Sequence, residues 1–398
     1  MGSYVSKAYV YHKPGDVRIE EIEVTCGPRD MVMKVLASGR CGTDKTIYRK
    51  GHYRVDRNAP VVLGHEMVGE IVEVGSDVSA ITEGVGCLAG KPVPPEARDF
   101  KIGERVTVQG RVARYRDGIM LLDDPINNLS FYVNGAYAQY MLIPEDFISS
   151  GSTFRVPDSV GDVQAALVEP TACALESIFA TPHPVGIDDE GRHLFRAGIR
   201  PGGKVCVIGS GTVSMIYAFL ASLEGARAVI MLLRTEEKRE LVGRILGDRV
   251  QTLLTPNLEG LPLAEKLEQE EEIVAQLEAM TEGYLFDDVV AACPDPDAQR
   301  LMLKLYNRSG YAVGACFGGT HELVDGADID QNHYRLAKTI GTSGTSNATM
   351  QTVINRLASG ALDLSGFASK TRHTFETPPD EFFTTPSGGL KPILFPWE

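Results

Sequence analysis

In the first third of the chain, apolar and polar residues alternate over short runs that end in turn residues. Examples are Arg18 to Val24, Met31 to Ala37, and Met67 to Val74 running into Gly75-Ser76-Asp77. A period of two marks half-buried strands, so this region predicts an irregular all-β domain. From Lys204 the pattern changes: the apolar runs KVCVIG, AVIMLL, QTLL, FDDVVAAC, YAVGACFG and TIGTSG alternate with helical stretches. That is the pattern of a doubly wound parallel α/β sheet. Leu258 to Met280, with its EKLEQEEE run, reads as a helix with a solvated acidic face. Beyond Gly341 a helix over Met350 to Ala358 and strand-like pieces ending at PILFPWE carry the chain back to the first domain. The expected division is residues 1–170 with 345–398, and 171–344. Two inserts, Ile81 to Phe100 and His183 to Phe195, read as long irregular loops of the kind that form lids or stay disordered.

Composition narrows the partners. With 53 acidic and 39 basic residues the formal net charge is −14, which argues against nucleic-acid or anionic-membrane surfaces, both of which are negative. A phosphorylated substrate would need a local cluster of Lys and Arg. The opening MGSYVSKAYVYHKPG lacks a signal-peptide core, and no apolar run approaches the length of a membrane span, so a cytoplasmic protein is expected. The seven cysteines (Cys26, Cys41, Cys87, Cys173, Cys206, Cys293, Cys316) form no CxxC pair and are expected as reduced, mostly buried thiols.

The strand KVCVIG runs into Gly209-Ser210-Gly211-Thr212-Val213-Ser214 and a helix. This nearly fits GxGxxG, in which the first Gly makes the turn, the second admits the pyrophosphate and the helix N-terminus offers N–H groups. Ser214 stands at the third Gly, where a small residue still allows close packing. In an NAD site an acid ends the second strand about 20 residues on and holds the ribose. Here Leu233 takes that place. Arg234, with Lys238 or Arg239 one turn on and Thr235 at the helix start, could accept a 2′-phosphate, so NADP is preferred over NAD. The alternative is that these are only exposed charges at a helix start.

Three further segments carry metal-ligand chemistry: Gly39-Arg40-Cys41-Gly42-Thr43-Asp44, Gly64-His65-Glu66 and Val168-Glu169-Pro170. Thiolate, imidazole and carboxylate are the ligands zinc prefers, and a catalytic zinc takes three from the protein. Each segment alone also reads as ordinary core or loop. In this order, ahead of a dinucleotide-binding unit, they resemble the zinc-dependent medium-chain dehydrogenase/reductase family; the run from Gly64 through Gly69 to Gly75 is a specific signature of it. The resemblance implies a GroES-like catalytic domain joined to a Rossmann domain. It implies one catalytic zinc held by Cys41 and His65, with Glu66 as a ligand or close carboxylate and Glu169 bound directly or through water. Glu169-Pro170 resembles the sorbitol dehydrogenase branch.

The family's structural-zinc lobe is missing, since Val106 to Tyr140 holds no cysteine. Thr43 matches the family's proton-relay hydroxyl, but the His often found three residues beyond it is Thr46. FDDVVAAC, Asn332-His333-Tyr334 and Gly341-Thr342-Ser343-Gly344 resemble L-sorbose-1-phosphate reductases, a ketose-phosphate branch, and place Ser343 among the cofactor contacts. The implied reaction is interconversion of a secondary alcohol and a ketone with NAD(P), on a sugar, polyol or sugar phosphate, in a homodimer or homotetramer. The rivals are a dehydrogenase of a biosynthetic secondary alcohol, a zinc-free quinone or enoyl reductase on the same fold, and a dinucleotide-binding protein without turnover.

Overall fold

The computed structural model describes residues 2–82, 87–88, 91–92, 99–112, 114–116, 119–121, 128–319 and 322–398. The expected insert from Ile81 to Phe100 lies largely outside these residues. The chain divides into two compact units, residues 1–172 with 344–398, and 173–343.

The first unit opens with β1 (Ser3–Lys13) and β2 (Asp16–Thr25), an antiparallel pair turned at Gly15. β3 (Met31–Gly39) leads into helix α1 (Gly42–Lys50). The short β4 (Val61–Val62) pairs with β1, and β5 (Glu66–Val74) runs antiparallel to β3. β6 (Arg105–Val108), β7 (Tyr140–Ile143) and β8 (Thr153–Arg155) follow. Met31, Met33, Val35, Met67, Ile71 and Val106 meet in one apolar cluster. These alternate residues of neighbouring strands share a face, the arrangement expected when side chains point to opposite sides of a strand. Helix α2 (Val168–Phe179) begins in this unit.

The second unit starts with an antiparallel hairpin, β9 (Pro182–Ile187) and β10 (His193–Ala197). The second insert is therefore a hairpin and not an irregular loop. Pro182, Pro184 and Gly186, with a register shift between Pro184 and Gly186, disguise the strand pattern in the sequence. The Rossmann strands are β11 (Lys204–Ile208), β12 (Ala228–Leu233), β13 (Gln251–Leu254), β14 (Asp288–Ala291), β15 (Val313–Cys316) and β16 (Lys338–Gly341). All pair in parallel, in the order β13-β12-β11-β14-β15-β16. Numbered within the unit this is 3-2-1-4-5-6, the doubly wound order whose chain reversal beside the first strand creates a ligand crevice. The helices are α3 (Thr212–Leu223), α4 (Glu236–Leu246), α5 (Leu263–Met280), α6 (Pro296–Lys304) and α7 (Asp330–Tyr334).

Helix α5 has the solvated acidic face expected of it, with Glu265, Glu268, Glu271 and Glu272 exposed, except at Glu270. Glu270 is fully buried, with Arg300 Nη2 at 2.6 Å and Lys304 Nζ at 3.2 Å. The partners stand on α6, so the charge is inward because it is paired across two helices.

The chain then returns to the first unit with α8 (Asn347–Ala358), β17 (Ala368–His373), α9 (Pro379–Thr384) and β18 (Lys391–Leu394). β18 pairs with β3, completing a sheet of order β8-β6-β5-β3-β18-β17, with β7 pairing to the first residues of β3. The cysteines are less buried than expected: Cys26 and Cys206 are enclosed, whereas Cys41, Cys173, Cys293 and Cys316 are half-buried, and all six are free thiols. Cys87 lies where only the backbone is described. No helix among the described residues is long and apolar enough to cross a membrane.

Candidate metal centre and nucleotide site

Cys41 ends the turn after β3 and serves as N-cap of α1, with extended φ and ψ of −75° and 152°. Asp44, three residues on, reaches back to accept the Cys41 backbone N–H at 3.3 Å. This cap fixes the thiol at the mouth of the helix. His65 and Glu66 stand at the start of β5, after Gly64 at φ 99°. A Cβ on Gly64 would lie 2.7 Å from the Tyr137 ring, so only glycine lets the chain pass there.

The result is a convergence. The ligand atoms of Cys41, His65 and Glu66 all lie within 4.8 Å of one another, the one such group of three or more among the described residues. Glu169, in the first turn of α2, is outside that group but near it: its Oε1 lies 3.6 Å, and the His65 ring Cδ2 also 3.6 Å, from the point where a Cβ on Gly110 would stand. All four predicted ligands thus gather in the first unit. Thr43 is exposed on the first turn of α1, and the Thr46 hydroxyl is turned onto the Gly42 carbonyl at 3.2 Å.

Three residues not singled out as site residues in the sequence support the group. Asp44 is buried, lies 2.6 Å from the Tyr137 hydroxyl, and faces His65 Nδ1 at 3.6 Å. Lys391, from β18, places its buried Nζ 2.7 Å from both oxygens of Glu66. Burial raises the Asp44 carboxyl against the pull of His65 and Tyr137. Burial also raises Tyr137, with Asp44 adding to it. The His65 imidazole is lowered by burial, yet Asp44, Cys41 and Glu169 hold it well above the usual histidine range. Lys391 is likewise lowered by burial but raised overall by Glu66.

This charge pattern fits a cation. Asp44, Glu66 and Glu169 bring three carboxylates to the group against the one ammonium of Lys391, and Asp44 Oδ1 and His65 Nδ1, which face each other at 3.6 Å, are buried without hydrogen-bond partners. Buried polar atoms of that kind need compensation. A thiol, an imidazole and a carboxylate at this spacing match what zinc takes at about 2.0–2.3 Å, and binding would displace the proton that the anions hold on His65.

In the second unit, Gly209 takes φ 140°, and a Cβ there would sit 2.6 Å from Ser214 Oγ. Gly211 caps α3, with open space where a side chain would project. Thr212 and Ser214 are buried on the first turn, Val213 half-buried, and Ser214 Oγ donates to the Ala292 carbonyl at 3.4 Å. Serine at the third glycine position is thus accommodated. Beside this loop lies a cavity of about 160 Å³, lined by Ile208, Gly209, Leu232, Leu258, Arg234 and Asp295 among others. Leu233 is buried. Arg234 donates to Asp295 Oδ2 at 2.5 Å. Thr235 caps α4 by accepting the Lys238 N–H, and Arg239 pairs with Glu236 at 3.4 Å. Of the residues expected to meet a 2′-phosphate, Arg234 and Arg239 therefore already have carboxylate partners. Ser343 is exposed just past β16.

A mainly antiparallel β unit with a Cys/His/Glu group and a separate unit built on a 3-2-1-4-5-6 parallel sheet make a two-unit fold of the dinucleotide-binding type. Residues 27–153 match the alcohol dehydrogenase GroES-like domain. The chain is thereby similar to zinc-type medium-chain dehydrogenases. It is 30% identical over 235 residues to a sorbitol dehydrogenase of Bacillus subtilis, a match covering 56% of this chain and 55% of that protein. The chain thus spans about half the length of that curated relative. By shape it resembles 2R,3R-butanediol dehydrogenase from Bacillus subtilis, with TM-score 0.74, 20% identity, and 98% and 99% of the two chains covered. It also resembles a candidate zinc-binding dehydrogenase of Sinorhizobium meliloti 1021 solved bound to NADP, with TM-score 0.73, 20% identity, and 99% and 100% covered.

Proposed function

We propose that this protein is a zinc-dependent oxidoreductase that interconverts a secondary alcohol and a ketone by hydride transfer with NAD(P), on a polyol, sugar or sugar phosphate. The observation that carries the reading is the convergence of Cys41, His65 and Glu66 on one point, with Glu169 beside it. Cys41 and His65, with Glu169 or Glu66, would hold zinc, which supplies a Lewis acid for the substrate oxygen.

The chain's own residues do the rest. Asp44 faces the outer nitrogen of His65 and orients the ring, as carboxylates beside ligating histidines do. Lys391 already balances Glu66, which supports a tuning role for that carboxylate. Thr43, two residues from Cys41, offers the hydroxyl that passes a proton between substrate and solvent. The Gly209–Ser214 turn and the N-terminus of α3 are suited to a pyrophosphate.

A phosphorylated substrate is supported by local charge. On a chain of net charge −14, Lys45 and Arg49 follow Cys41 at one and two turns of α1. Lys45 is pulled below the usual lysine range by burial and by Arg49 and Arg40, the state of a cation among cations that an anion would relieve.

The test is oxidation of NADH and NADPH by the purified protein with a ketose 1-phosphate, and with the free ketose as control. Turnover that favours the phosphate and disappears on zinc removal is the expected result. Turnover that survives complete zinc removal would favour the metal-free reductase reading. Inactivity on both sugars in zinc-loaded protein would remove the sugar-phosphate assignment.

A further inference from the structure

Resting on the dinucleotide reading above, we propose that Asp295 sets the choice between NAD and NADP by occupying Arg234 at the adenosine cavity and so disfavouring a 2′-phosphate. The second strand ends in buried Leu233 rather than an acid, which by itself would open the site to NADP. The next residue, Arg234, is the nearest cation. Its guanidinium is engaged: Nη2 donates to Asp295 Oδ2 at 2.5 Å, and both residues line the same cavity.

Lys238, half-buried one turn on, is a further cation, but the remaining charges there do not replace Arg234. Asp297, also in the lining, is held by Lys266 at 2.9 Å and by Arg300 at 2.7 Å, so those cations are spent within the protein. Arg239 pairs with Glu236 at 3.4 Å. The cavity thus presents an arginine whose charge is matched, while a 2′-phosphate brings about two negative charges. To bind Arg234 it must displace the Asp295 carboxylate and then lie beside it. A ribose with a free 2′-hydroxyl meets no such repulsion and can donate to Asp295.

Asp295 has a second task, since its Oδ1 caps α6 by accepting the Asp297 N–H at 2.9 Å. Asp295→Asn keeps an oxygen for that cap and removes only the charge, which separates specificity from helix stability. The measurement is calorimetric titration of the purified, zinc-loaded protein with NAD+ and NADP+, with no turnover required. The wild type should bind NAD+ more tightly than NADP+. Asp295→Asn should raise the NADP+/NAD+ affinity ratio by about tenfold, as expected when one charge contact of roughly 1.4 kcal/mol is removed, and adding Arg234→Gln should erase that gain. Binding of both dinucleotides with a ratio unmoved by Asp295→Asn overturns the role of Asp295 and leaves the dinucleotide site standing. A wild type that binds neither dinucleotide overturns the site itself.

Discussion

Cys41→Ala is expected to lower kcat/KM by about a thousandfold or more, because loss of a Lewis acid worth several kcal/mol costs a factor of ten for each 1.36 kcal/mol. The protein should lose its zinc while keeping its fold, since Cys41 is only half-buried and the Asp44 carboxylate continues to bind the backbone N–H of residue 41. The comparison that checks this is steady-state kinetics beside circular dichroism of the two proteins. An alanine variant that retains most of its activity would remove Cys41 from the ligand set.

His183→Ala should destabilise the second unit by about 3 kcal/mol, the cost of removing one member of a buried pair. His183 Nε2 lies 2.8 Å from Asp288 Oδ1, both side chains are at most 2% exposed, and the contact fastens the β9–β10 hairpin to the central strand β14. Burial already raises the Asp288 carboxyl, against the opposing pull of His183. The folded form therefore holds its proton above the ordinary value of 3.8, while the unfolded form releases it. Stability from this group accordingly falls as pH rises through that window. With His183 gone the deficit should deepen from pH 3.8 toward neutrality, and Asp288→Asn in the same chain should recover much of it. Urea unfolding across that range reads both effects, and an unchanged midpoint would mean the pair contributes nothing.

Much of this was legible because the informative residues are local. Gly64-His65-Glu66 is contiguous, Cys41 precedes a helix, and the Gly209–Ser214 turn joins a strand to a helix, so each motif could be read locally, while the ligand set came from the resemblance their order carries. The supporting shell was not. Lys391 meets Glu66 across 325 residues, and a lysine in a strand ordinarily reads as a surface residue. Asp44 reads as a cap, which it is; its second task toward His65 depends on how β5 pairs with β3. The same limit governs Arg234. Its exposure beside a missing acid was legible, but its carboxylate partner was not: Asp295 lies 61 residues further on, and only the return of β14 beside β11 brings it near. Glu270 was misread for the same reason, its partners standing on another helix. The hairpin at residues 182–197 was hidden by prolines and glycine in its first strand. In each case the missing information was a long-range pairing that sets burial or charge.

The most direct test of the account is the metal content of the purified wild-type protein, measured by elemental mass spectrometry before and after exhaustive chelation, with dehydrogenase activity followed on the same samples. About one zinc per chain is expected in the active protein, as for a catalytic site with three protein ligands, with activity lost on chelation and restored by zinc. A protein that is active while free of zinc, or that binds zinc equally well when Cys41 and His65 are both replaced by alanine, would contradict it.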